Sequence, residues 1–154
     1  MKQLIQNLGN GNTSLIETPI PNIGKNEVLI KSEVSLLSIG TERMLVDFFK
    51  RNFLNKAKSQ PEKVKQVFDK IQNDGIIPTF KAVKRKLDEP IPLGYSQAGY
   101  IVEVGANVTG LKPGDRVVSN GSHAEYVAVS KNLVALIPDN ITFEEACFTV
   151  VGSI

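Results

Sequence analysis

Gly94–Val118, GYSQAGYIVEVGANVTGLKPGDRVV, decides how this chain is read. Gly99 to Val104 carries the β-branched and aromatic residues of one strand, and Arg116 to Ser119 those of a second. Between them, Lys112-Pro113-Gly114-Asp115 is a tight turn, with proline fixing φ and glycine free to take a positive one. Gly105, Gly110, Gly114 and Gly121 are turn residues and do not form a phosphate cradle. Downstream, Ala124 to Val129 reads as a third strand and Val134 to Ile137 as a fourth. Thr142-Phe143-Glu144-Glu145 then fits a capping box, with a hydroxyl at the N-cap and a carboxylate at N3. It opens a helix from about residue 143 that is still running, or has only just ended, at Ile154.

Upstream, residues 1 to 38 also read as strands. Gly9-Asn10-Gly11 is a turn between short strands near 2–7 and 14–18, since these residue types tolerate φ > 0. Pro19, Pro21 and Gly24 break the chain, and Glu27 to Leu37, EVLIKSEVSLL, is a long strand. Residues 42 to 88 switch to a helical period. Ser59-Gln60-Pro61-Glu62 fits a capping box, and Val64, Val67, Phe68 and Ile71 fall on one helical face. Asp74-Gly75 closes that helix. A helix at about 42–57 precedes it, and another from Pro78 to about Leu87 follows.

A chain of 154 residues is one domain by default. A net charge of +2 is too small to argue for nucleic acid. The charge is unevenly spread: 12 of 18 Lys and Arg lie between Arg43 and Lys86, against 4 of 16 acids. That run is either a solvated helical face or a surface for an anionic partner. The single cysteine, Cys147, excludes an internal disulfide and a cysteine-built structural zinc site, which makes cytoplasm the expected compartment. The start, MKQLIQNLGNG, lacks the apolar run of a secretory signal, and no apolar run approaches the 18 residues of a membrane span.

Four segments in order carry a resemblance: EVLIKSEVSLLSIGTE (27–42), the opening stretch 94–118, HAEYVAV (123–129) and IPDNITFEEACFTVVG (137–152). Together they resemble the N-terminal GroES-like domain of the medium-chain (zinc-type alcohol) dehydrogenase/reductase family. The Ser38-Ile39-Gly40-Thr41-Glu42 segment is similar to the bacteriochlorophyllide-dehydrogenase-like branch, and the whole to bacterial bi-domain oxidoreductases of surface-polysaccharide clusters. The resemblance implies a mainly β fold over residues 1–154, a GroES-like barrel with an α-helical insertion at about 42–90, α+β overall. It also implies a cytoplasmic oxidoreductase.

In the family's zinc enzymes this stretch begins Gly-His-Glu; here it begins Gly94-Tyr95-Ser96. By the same resemblance Ile39 and Val151 stand at two cysteine-ligand positions, and Cys147 is at neither. Tyr and Ser are poor ligands for a metal that prefers Cys, His, Asp and Glu, so no zinc is expected. The hydroxyl of Thr41 matches the one that relays the substrate's proton in family members; the same residue also reads as a helix cap. Gly40 and Thr41 are the implied cofactor contacts. Ser38, Tyr95 and Ser96 are candidate substrate-binding residues, with Tyr95 and Ser96 able to replace zinc as hydrogen-bonding electrophiles to a carbonyl. Their plainer reading is a strand-end serine, a packed tyrosine and a turn serine. His123 is the only imidazole and suits acid–base work, or is a structural histidine before a strand.

No Gly-x-Gly-x-x-Gly follows a strand anywhere in the chain. In the family that fingerprint belongs to the Rossmann domain, so the resemblance implies NAD or NADP on a covalently attached Rossmann domain after residue 154, with this chain as the substrate-side half for a small molecule, a nucleotide-linked sugar among the candidates. The competing reading is a non-catalytic scaffold or interaction module beside another dehydrogenase domain.

Overall fold

The structure, a computed structural model, describes residues 1–7, 12–38, 40, 62 and 89–152. Apart from residue 62, the predicted helices at 42–57, 61–74 and 78–87 lie outside the described residues, and with them almost all of the helical insertion. The described part is mostly β-sheet with one α-helix. Its strands are β1 (Lys2–Asn7), β2 (Thr13–Glu17), β3 (Glu27–Ser35), β4 (Pro90–Pro92), β5 (Gln97–Val104), β6 (Arg116–Ser119), β7 (Tyr126–Ser130) and β8 (Val134–Leu136). A single 3₁₀ turn, Lys131–Leu133, joins β7 to β8, and helix α1 spans Phe143–Gly152. The chain divides into two compact units, one of Met1–Ile5, Ser14–Ser38 and Pro92–Ile154, the other of Gln6–Thr13 and Ile39–Ile91. The first unit holds β3, β5 to β8, α1 and the residues Ser38, Tyr95, Ser96 and His123.

A three-stranded sheet has the order β2-β1-β4, and a five-stranded antiparallel sheet the order β7-β3-β5-β6-β8. The long β3–β5 pair is its spine, running from Val28 opposite Val104 to Ser35 opposite Gln97. Two register shifts, at Leu29/Ile30 and Ser32/Val34, bend it. Strand β3 stops at Ser35, two residues before the predicted end, and backbone pairing carries one step further, where the Leu36 N–H donates to the Ser96 carbonyl at 3.0 Å.

The alternation of β3 and β5 fills one face with Val28, Ile30 and Ile101, joined by Val117, Val127 and Val129. Burying each such side chain contributes roughly 1.5–3 kcal/mol. The other face is covered by α1. Phe143, Ala146, Cys147 and Val150 fall at i, i+3, i+4 and i+7, so one stripe of the helix meets Ala98, Val118 and Ile137. The predicted capping box is present: the Glu145 N–H donates to Thr142 Oγ1 at 3.2 Å, and the Thr142 N–H to Glu145 Oε2 at 2.9 Å. In the predicted turn, Gly114 has φ +92° and Asp115 N–H donates to the Lys112 carbonyl. No described helix is long and apolar enough to cross a membrane.

Cys147 sits at 1% exposure with its thiol donating to the Val34 carbonyl at 3.6 Å. Burial, and then the Glu144 carboxylate, push its pKa above 9.0, against a smaller opposing effect of a backbone hydrogen bond at Ala98. A raised folded-state pKa stabilises the fold fully below the ordinary thiol value and loses that contribution as pH rises through the raised one. Urea unfolding should therefore show stability falling above pH 9 more steeply in the wild type than in Cys147→Ala. Parallel curves for the two proteins would refute the linkage.

Candidate functional site

The backbone around Gly94 brings three of the predicted site residues together. Leu93 N–H donates to the Leu4 carbonyl at 3.0 Å, and the Leu93 carbonyl accepts from His123 N–H at 2.7 Å. The His123 carbonyl in turn accepts from Leu4 N–H at 2.9 Å. This closed triangle seats His123 directly on Gly94. A Cβ added at Gly94 would lie 2.6 Å from the His123 nitrogen and 2.8 Å from two imidazole carbons, and the residue has φ +95°. Only glycine fits both constraints. The Gly94-Tyr95-Ser96 bend and His123 thus share one place, although 27 residues separate Ser96 from His123 in the sequence.

Ser38 follows two residues after Leu36, whose N–H pairs with the Ser96 carbonyl, so the end of β3 reaches the same bend. Ser38, Tyr95 and His123 are half-buried. Beside His123 lies an open groove of about 430 Å³ walled by Leu4, Leu15 and Leu37, with Ser35, Lys2 and Glu125 also on its lining. A half-buried imidazole against apolar walls can orient and hydrogen-bond a polar group on a mostly apolar ligand. Gly40 is exposed and falls in the other compact unit. Thr41 and Ile39 lie outside the described residues.

Ser96 is fully buried, and its hydroxyl donates to the carbonyl of Cys147 at 2.6 Å. The bond ties the bend to the second turn of α1. Sequence reasoning took Ser96 as a substrate contact because its partner, 51 residues away, is a backbone carbonyl that carries no residue-type signal. Two further groups were missed. The buried Gln97 amide donates to Ser119 Oγ at 2.7 Å, and that hydroxyl also accepts from the Gly121 N–H. Arg116 reaches three carbonyls of the loop before α1.

Among the described residues, the donors around the bend do not make a zinc set. The Ser96 proton is committed to a carbonyl, Tyr is a poor ligand, and among the described residues no three His, Cys, Asp or Glu side chains gather. The start of α1 does not fit a dinucleotide phosphate. It is closed by its own capping box and carries Glu144 and Glu145 in the first turn, where a carboxylate repels an anion.

Residues 70–139 match the model of the alcohol dehydrogenase GroES-like domain. The chain is 44% identical over 73 residues to the chloroplastic NADPH-dependent alkenal/one oxidoreductase of Arabidopsis thaliana, a match covering 38% of this chain and 19% of that protein. It is 31% identical over 104 residues to the D-arabitol-phosphate dehydrogenase of Enterococcus avium, covering 47% of this chain and 30% of the relative. Among solved structures, galactitol-1-phosphate dehydrogenase from Escherichia coli superimposes with a TM-score of 0.64 at 20% identity, over 96% of this chain and 41% of that one. The chain thus spans about two-fifths of that protein, and its matches cover less than a third of the curated relatives.

Proposed function

We propose, from the premise that this chain carries an alcohol dehydrogenase GroES-like domain of the medium-chain dehydrogenase/reductase family, that it is the substrate-side domain of a zinc-independent, NAD(P)-dependent oxidoreductase. The observation that carries the reading is the meeting of Gly94-Tyr95-Ser96 with His123 in a domain that matches that family. In this reading Thr41 holds and passes the proton of the reacting oxygen. Tyr95 donates a hydrogen bond to the carbonyl, in the place the metal takes elsewhere in the family. Ser96 holds the bend through Cys147, His123 and Ser38 orient the polar end of the substrate, and Gly40 with Thr41 faces the cofactor.

The nicotinamide dinucleotide belongs, in the same reading, to a glycine-fingerprint domain outside these 154 residues. The relative's name, NADPH-dependent, supports that cofactor class. A sugar-derived substrate in bacterial surface-carbohydrate metabolism, in the cytoplasm, is the finer form of the proposal. Two things support it: a relative named for an arabitol phosphate, and the basic run from Arg43 to Lys86 that suits an anionic substrate. The non-catalytic scaffold is the second reading, favoured by the structural use of the Ser96 hydroxyl.

Calorimetry separates the two. The full-length protein should bind NADH or NADPH with micromolar affinity, and this chain alone should bind neither. Full-length protein that ignores both cofactors would turn the assignment toward the scaffold, and tight binding by the chain alone would show the division of labour to be wrong. Elemental analysis should find no stoichiometric zinc in either protein, since Ile39, Tyr95, Ser96 and Val151 offer no ligand set. About one tightly held zinc per chain would overturn the zinc-independent mechanism.

A further inference from the structure

Arg116 heads β6, opposite Tyr100 on β5, and its side chain reaches across to the loop that leads into α1. One guanidinium nitrogen donates to the Pro138 carbonyl at 3.2 Å and the Asp139 carbonyl at 3.4 Å. The other donates to the Ile141 carbonyl at 2.6 Å. The group also lies 4.8 Å above the ring of Phe143, the first residue of α1, and that ring meets Tyr100 edge-on at 5.1 Å. A planar fork of fixed charge is suited to hold several carbonyls and an aromatic face at once; a lysine ammonium is not.

We propose that Arg116 is a positioning residue for the candidate site, setting the Tyr95–Ser96 bend through α1. The three carbonyls precede the Thr142 cap, so their clamp fixes where the helix begins. The helix then carries the Cys147 carbonyl to the Ser96 hydroxyl at 2.6 Å. Ser96 is buried and bonded, so a shift of α1 moves the bend, and Tyr95 with it. Nothing in the chain's length or motifs marks Arg116 for this task. Its partners are backbone oxygens 22 to 25 residues away. The inference rests on the reading that Tyr95 faces substrate, but the coupling itself is structural and is tested without turnover.

The test is amide exchange and side-chain resonances by NMR in wild type, Arg116→Lys, Phe143→Leu and Ser96→Ala. Arg116→Lys keeps the charge and loses the fork. Loss of a charge-assisted clamp should raise exchange at Glu145, Ala146 and Cys147 by about tenfold or more. The β3 amides of Val28 and Ile30 should keep their wild-type rates, and the Tyr95 ring resonances should move in the direction seen for Ser96→Ala. Phe143→Leu removes only the ring contact and should give the same pattern at smaller amplitude, which also covers the case of an unfolded Arg116→Lys. Uniform acceleration across the sheet would reduce Arg116 to general stability and overturn the proposal. So would an accelerated α1 with unmoved Tyr95 resonances, or unchanged exchange in both variants. An inactive full-length protein that shows the NMR pattern would count against the oxidoreductase reading alone.

Discussion

Thr41→Val lowers turnover of the full-length protein by about 10²–10⁴-fold, the contribution of a positioned proton-transfer group, while His123→Gln costs less. Valine keeps the shape of threonine and deletes only its hydroxyl. The reacting oxygen is then left without its proton donor or acceptor, and no other predicted group replaces it directly. Thr41 follows Gly40 at the point where the strand pattern of 27–37 gives way to the helical pattern of 42–57. His123 has a different standing. Its backbone is clamped by Leu93 and Leu4, and its ring packs on Gly94, so part of its role is to hold the bend. Glutamine retains a polar side chain there. The measurement is the rate of nicotinamide consumption by both variants, with folding checked by circular dichroism. Full activity in Thr41→Val with a dead His123→Gln would transfer the acid–base role to the histidine. Two fully active variants would favour the scaffold.

Local chemistry made the strands, the Lys112–Asp115 turn and the α1 capping box legible in the sequence. Each of these is decided by residues within a few positions of one another. Strand β4 was not legible. Pro90-Ile91-Pro92 supplies only one backbone donor, so its own propensity does not mark it as the strand that flanks β1. For the candidate site, only the placing of its residues was legible. The family-like order of segments named Gly94, Tyr95, Ser96 and His123, and the structure brings them to one bend. What Ser96 and Arg116 do was hidden, because both donate to backbone carbonyls, and any residue type supplies a carbonyl. The same limit applies to Gln97 and Ser119, whose mutual bond depends on β5–β6 register.

Gly94→Ala should destabilise the chain and displace His123 together. A non-glycine residue at φ +95° carries roughly 1–3 kcal/mol of backbone strain. For a domain of this size that is a fall in Tm of roughly 2–12 °C. The new methyl also has nowhere to go, since the nearest atom, 2.6 Å away, is the His123 backbone nitrogen, already held by the Leu93 carbonyl. Relief requires the Leu93–His123 bond to lengthen or the imidazole to swing away from the bend. Gly110→Ala is the control: its φ of +80° carries similar strain, but a Cβ there meets nothing within 4 Å. Thermal melts should therefore show a larger loss for Gly94→Ala than for Gly110→Ala, and only the former should shift the His123 ring resonances. Equal losses with an unmoved imidazole would mean that Gly94 serves the turn alone, and that His123 owes its place to Leu4 and Leu93 without it.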